Sequence, residues 1–162
     1  MKLLRVVVIT FLGTLLLLLA VSYLLVRSEG LSARKKPTNL EYDIANFALR
    51  LSIPAQAKSA TNPLRPDRQL LVEAEAHFKE HCAVCHGEDG IGKTSLAAGL
   101  SPEVPDLHAD HIQKLTDGEL CYIIKNGVRF TGMPGWDFED RHNWSLVLFI
   151  RQLATEPLKQ NR

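Results

Sequence analysis

Twenty-one consecutive residues, 6–26, carry no charge. As a helix rising about 1.5 Å per residue the run would be about 31 Å long, the thickness of a bilayer's hydrocarbon core. A buried helix of a soluble domain is rarely so long and so uniform, so the run divides the chain into parts that answer to different solvents. Thr10, Thr14 and Ser22 can return their hydroxyls to helix carbonyls, and Tyr23 suits a membrane interface. The alternative is a cleaved signal peptide, whose apolar region is about 7–15 residues long and ends at a small-residue cleavage site. Ala20-Val21-Ser22 lies inside the run and Ala55-Gln56-Ala57 lies far beyond it. Length and the missing site favour an uncleaved transmembrane anchor over residues 1–28, with the signal peptide as its rival.

The charge follows the same division. Residues 1–66 hold 9 basic and 3 acidic groups, residues 67–162 hold 10 and 15, and the net charge of +1 is their cancellation. An acidic main body repels phosphate, which argues against a nucleic-acid partner. Apolar residues at 46% and charged residues at 23% are those of a globular chain. Three cysteines are too few for a disulfide scaffold. Lys2 and Arg5 precede the apolar run, and Arg27, Arg34, Lys35 and Lys36 follow it. The positive-inside rule alone would therefore not place the amino terminus in the cytoplasm.

Residues 29–66 read as a connector rich in Ser, Ala, Asn and Pro. Within it Leu40, Ile44, Phe47 and Leu51 recur at helical spacing behind a Thr38/Glu41 capping box, predicting a short amphipathic helix near 39–51 that Pro54 ends. Docking on the domain is expected ahead of lying on a membrane surface. From Asp67 the pattern is helical, with Leu71, Ala74 and Phe78 on one stripe running to His81-Cys82. A loop follows through Gly87, Gly90, Gly92, Gly99, Pro102 and Pro105. Thr116 and Glu119 cap the next helix, Leu120, Ile123 and Ile124 face inward, and Asn126-Gly127 stops it. The last helix, about 140–154, carries Trp144, Val147, Leu148, Phe149, Ile150 and Leu153 around most of its circumference, so two neighbours should grip it. No segment sustains a period of two, and the expected class is all-α.

The chemistry lies in Cys82-Ala83-Val84-Cys85-His86. Two thiols three positions apart at a helix end can each add to a haem vinyl group, and the adjacent imidazole is then directed at the iron; this is the c-type haem attachment pattern. A dithiol redox site would want a βαβ setting, and a zinc site would want a second cysteine pair. The motif occurs once, so one covalently bound haem c is expected. For the sixth iron ligand the chain offers two methionines, and Met1 lies beyond the apolar run. Met133 sits in Thr131-Gly132-Met133-Pro134-Gly135, 47 residues after His86. His108 and His111 compete with it; bis-histidine ligation would lower the potential. His77, His81 and His142 are expected to be exposed, and Cys121 to be a buried apolar residue.

With these motifs in place, residues 67–156 resemble a class I, mono-haem c-type cytochrome, here joined to an N-terminal transmembrane helix and followed by a tail at 157–162. The resemblance rests on the helix ending in Cys82…His86-Gly87, on Pro105-Asp106-Leu107, on Gly132-Met133-Pro134 and on the aromatic-bearing last helix. It implies that Cys82, Cys85, His86, Pro105 and Met133 bind the cofactor, with His86 and Met133 on the metal and the Pro105 carbonyl holding the His86 ring. It implies a crossing of Ala74 and Phe78 with Trp144 and Val147, slightly wider than the family's usual glycine allows. Lys93, Arg129 and Trp136 are open to haem propionates. The implied role is a single-electron carrier, not an enzyme, working between membrane-bound redox proteins, either free or as the cytochrome subunit of an oxidoreductase. Haem attachment of this kind takes place outside the cytoplasmic membrane, so the haem domain is expected in the periplasm on a single-pass anchor, against the basic flank. The rival is a peroxidase-like haem enzyme or gas sensor with a labile sixth ligand.

Overall fold

The computed structural model describes residues 2–155 apart from 31 and 34, so the tail at 157–162 lies outside the described residues. The chain divides into two compact units, Met1–Lys35 and Lys36–Arg162.

Among the described residues the first unit holds one helix, α1 (Lys2–Glu29). Thr10 Oγ1 donates to the Val6 carbonyl at 2.9 Å and Thr14 Oγ1 to the Thr10 carbonyl at 2.9 Å. Those hydroxyls are satisfied within their own helix, which is what a hydrocarbon environment requires of a polar group. The helix is long and apolar enough to cross a membrane, and none of its apolar window is buried against protein.

The second unit strings together α2 (Asn39–Ser52), α3 (Ala55–Ser59), α4 (Arg68–His81), α5 (Ala83–His86), α6 (Asp110–Gln113), α7 (Asp117–Asn126) and α8 (Asp140–Thr155), with a 3₁₀ turn at Ala97–Gly99. Among the described residues there is no strand, and the class is all-α. The helix starts follow from local chemistry. Asp67 accepts from the Leu70 amide at 2.9 Å to open α4. Both capping boxes form, Thr38 with Glu41 on α2 and Thr116 with Glu119 on α7. Each satisfies amides that a helix start leaves without partners.

The core joins Ala74 and Phe78 of α4, Leu120, Cys121 and Ile124 of α7, and Leu146, Val147, Phe149, Ile150 and Leu153 of α8, with Leu107 from the loop. Helix α8 is held between α4 and α7, which explains why its apolar residues run round most of its surface. Ala74 and Phe78 are each 1% exposed and Val147 0%, with Trp144 packed at the edge of the same cluster. The Phe78 and Phe149 rings meet at 5.0 Å. One polar device closes the far end: Arg151 on α8 donates to the Asp117 carboxylate at 2.9 and 3.0 Å and to the Gln113 carbonyl at 2.8 Å. Its planar fork thereby ties the α6–α7 junction to α8.

The folded body reaches back before Asp67. Ile53 is 2% exposed, and α3 packs on α7. The close approach is possible because residue 118 is glycine; a Cβ there would fall on the Ala57 carbonyl oxygen. Thr116 Oγ1 donates to the Lys58 carbonyl at 3.1 Å, and Asn62 Nδ2 to the Trp144 carbonyl at 2.9 Å. Helix α2 behaves differently. It buries none of its residues, and the expectation that its stripe docks on the domain is corrected: Leu40, Ile44, Phe47 and Leu51 are all exposed. The short α3, not α2, takes the place on α7.

Candidate functional site

The cysteine motif forms where α4 gives way to the single turn of α5. The Cys82 amide bonds the Phe78 carbonyl at 2.8 Å, and the Cys85 and His86 amides both bond the Cys82 carbonyl, at 3.1 and 2.9 Å. The turn therefore brings the two cysteines and the histidine onto one short coil. None of Cys82, Cys85 and Cys121 is in a disulfide. Burial, with Cys85 adding to it, pushes the Cys82 thiol up to about 11, so it stays protonated at neutral pH. Burial also holds His86 below the ordinary histidine value, against an upward pull from the Pro105 carbonyl. Its imidazole is neutral, and a neutral ring has a nitrogen lone pair to offer a metal.

A glycine loop then folds back on this turn. The Gly92 amide donates to the His86 carbonyl at 2.7 Å and the Leu107 amide to the Gly90 carbonyl at 2.8 Å. Gly92 has φ +77°, and a Cβ there would stand 2.8 Å from the Val104 oxygen and 3.3 Å from the Pro105 oxygen. Only glycine allows the Val104–Pro105 backbone so near the His86 turn. Thr94 adds a side-chain tie, donating to the Val84 carbonyl at 2.8 Å and accepting from the Ala97 amide at 3.0 Å. The Pro105 carbonyl is the group nearest in effect to His86, yet Nδ1 of His86 is buried and makes no hydrogen bond of acceptable geometry.

Met133 is half-buried on a separate loop. Its amide bonds Thr131 Oγ1 at 3.1 Å, its carbonyl accepts from the Val128 amide at 3.1 Å, and Thr131 Oγ1 donates to the Val128 carbonyl at 2.7 Å. The loop meets α7 at a crossing of glycines. A Cβ on Gly127 (φ +67°) would lie 2.5 Å from the Gly135 nitrogen, and one on Gly135 would lie 2.9 Å from the Asn126 oxygen. At the tip Phe130 takes φ +64° and is 91% exposed.

The competitors are differently placed. His108 is half-buried, and its Nδ1 lies 2.8 Å from Asp106 Oδ1, so one ring nitrogen is already engaged. His111 is exposed on α6. Lys93 and Arg129 are exposed, and Trp136 is stacked on Phe138 at 5.1 Å. Cys121 is buried in α7, as expected, and burial together with Asp140 pushes its thiol up to about 11. His77 and His81 depart from the expected exposure. Both are half-buried among aromatic rings, because residues 136–142 fold over the end of α4; His142 is exposed. Gly127 and Gly135 were each legible in the sequence, one as a helix stop and one beside Met133, but their crossing and the Thr94 tie were not.

Residues 69–150 match the model of the family described as cytochrome c oxidase, cbb3-type, subunit III. The chain belongs to that family. It is a c-type cytochrome with a cytochrome c fold. The family implies a haem c cofactor and haem-based electron transfer. No curated protein sequence matches the chain. Among solved structures, the reducing HAO-like protein complex of Kuenenia stuttgartiensis is similar, with a TM-score of 0.52 and 20% identity over 57% of this chain and 47% of that one. The chain thus spans about half the length of that protein, and the likeness concerns the fold. The residues fit the implied group: a pair of thiols on one turn, a neutral imidazole whose buried Nδ1 lacks a partner, and a nearby backbone carbonyl.

Proposed function

We propose that the domain binds one haem c through Cys82 and Cys85, with His86 and Met133 as axial ligands, and carries single electrons between membrane-bound redox partners. The observation that carries this reading is the single turn that brings Cys82, Cys85 and half-buried His86 together, with the Val104–Pro105 backbone laid close to it at Gly92. When bound, the haem iron supplies a reversible one-electron couple. The protein's own work is positional. Gly92 admits the Val104–Pro105 backbone beside the His86 turn, which leaves the Pro105 carbonyl as the acceptor that the unpartnered, buried Nδ1 of His86 would turn to. The Thr131 hydroxyl and the Gly127–Gly135 crossing set where the Met133 thioether stands. Were His86 and Met133 both to hold the iron, no open position would be left for a substrate, the arrangement of a carrier and not of a peroxidase-like enzyme or gas sensor.

Helix α1 is read as an uncleaved anchor, with the haem domain in the periplasm. A tether of this kind keeps the domain at an effective concentration of order mM for membrane partners. The test has two arms. The purified protein should show both vinyl groups consumed in a pyridine haemochrome spectrum, and its ferrous form should be inert to carbon monoxide; extractable haem or rapid carbon monoxide binding would overturn the carrier reading. For the anchor, the native chain should keep residues 1–28 by mass spectrometry and stay with membranes through a high-salt wash. Salt matters because the basic leader attracts anionic lipid by charge alone. A chain beginning after residue 20 would make the protein a freely diffusing carrier.

A further inference from the structure

The half-buried histidines at the end of α4 form a cluster that the haem reading does not use. His77, Glu80 and His81 stand at positions i, i+3 and i+4 of one helix, a spacing that places side chains as neighbours along a face. One ligand atom from each lies within 4.8 Å of the others. Ligands in a tetrahedral zinc shell, at about 2.1 Å from the ion, are about 3.4 Å apart, so small side-chain rotations close the set. A third imidazole comes from α8: His142 stacks on His77 with ring centroids 5.1 Å apart.

The surroundings favour a cation over a simple aromatic pack. Phe138 meets His77 edge-on at 4.3 Å, and Trp136 meets His81 at 5.1 Å, so apolar walls cover one side. Among these rings Nε2 of His77 is buried with no hydrogen-bond partner, an orphaned polar atom that burial penalises. Glu80 Oε2 lies 3.7 Å from His81 Nε2, leaving a carboxylate at the open side.

The geometry points to a second metal site on this domain, a surface site for a divalent transition ion of the zinc type held by His77, Glu80 and His81 with His142 completing the shell. Two or three imidazoles with one carboxylate suit zinc and exclude magnesium or calcium, which take oxygen ligands. His81 immediately precedes Cys82 in the chain, so an ion held here sits beside the haem-attachment turn.

The experiment titrates Zn²⁺ into the untagged, haem-loaded full-length protein in detergent, followed by calorimetry and by X-ray absorption at the zinc edge. The expected result is one bound ion with at least two imidazole nitrogens in its shell, and a loss of affinity of more than about tenfold in His81→Gln, the scale that loss of even an outer-shell partner produces. His142→Gln, at an exposed position, should weaken binding less while leaving the haem spectrum unchanged. Absence of a binding event would overturn the site. So would binding that both variants leave intact, or binding lost instead when His108 and His111 are replaced.

Discussion

The two sides of the candidate haem site are held by different means. On the His86 side, residues 82–107 are tied by repeated bonds to the motif and within its loop: Gly92 to His86 at 2.7 Å and Thr94 to Val84 at 2.8 Å, with Leu107 to Gly90 at 2.8 Å. On the Met133 side the loop bonds chiefly to itself, and its described backbone links to the rest run through the glycine crossing and one long bond, Trp136 to Ile124 at 3.3 Å. The first arrangement distributes its support over several bonds. The second concentrates it at one point where no side-chain volume is tolerated. Ligand loss should therefore act differently on the two sides.

Replacing His86 breaks the comparison most severely. His86→Ala should abolish stable haem-loaded protein, measured as haem absorbance per unit of protein; an undiminished yield would remove it from the proximal position. Met133→Ala should keep the covalent haem while changing its chemistry: the weak near-infrared thioether band of the ferric form disappears, the potential falls, and the ferrous form takes up carbon monoxide. A band that persists would transfer the ligand role to His108 or His111. Gly127→Ala adds a Cβ at positive φ against the Met133–Gly135 backbone. It should destabilise the domain by about 2–3 kcal/mol in denaturant melts and lower the occupancy of the thioether band. Thr94→Val sharpens the other side. It removes one tie among several, so a loss of about 1 kcal/mol with an unchanged haem spectrum is expected.

What sequence made legible was local. The capping boxes at Thr38 and Thr116, the ends of α4 and α7, and the two-sided burial of α8 all depend on residues a few positions apart, where periodicity and cap chemistry act directly. The cysteine motif is local in the same sense. What escaped was contact between distant segments. Nothing near Gly118 in the sequence shows that Ala57 lies across it, and nothing near Arg151 shows that Gln113 and Asp117 come round to it. The stripe on α2 shows the limit of amphipathicity as a guide: a pattern says that a face is apolar, but not which surface, if any, covers it. The histidines of α4 were expected to be exposed, and the rings that half-bury them arrive from residues 136–142, far along the chain.

The exposed turn at Phe130 divides the molecule in a way that an endoprotease can read. Among the described large apolar residues it is the most accessible, and it sits in a loop, where Tyr42 and Phe47 are shielded by helical backbone. Limited chymotrypsin digestion should cut there early. The nick would leave both thiols and His86 on one fragment, and Met133 with α8 on the other. Because α4 and α7 grip α8 from two sides, the pieces should remain associated until the core is unfolded, giving a nicked protein that still migrates as one body under native conditions.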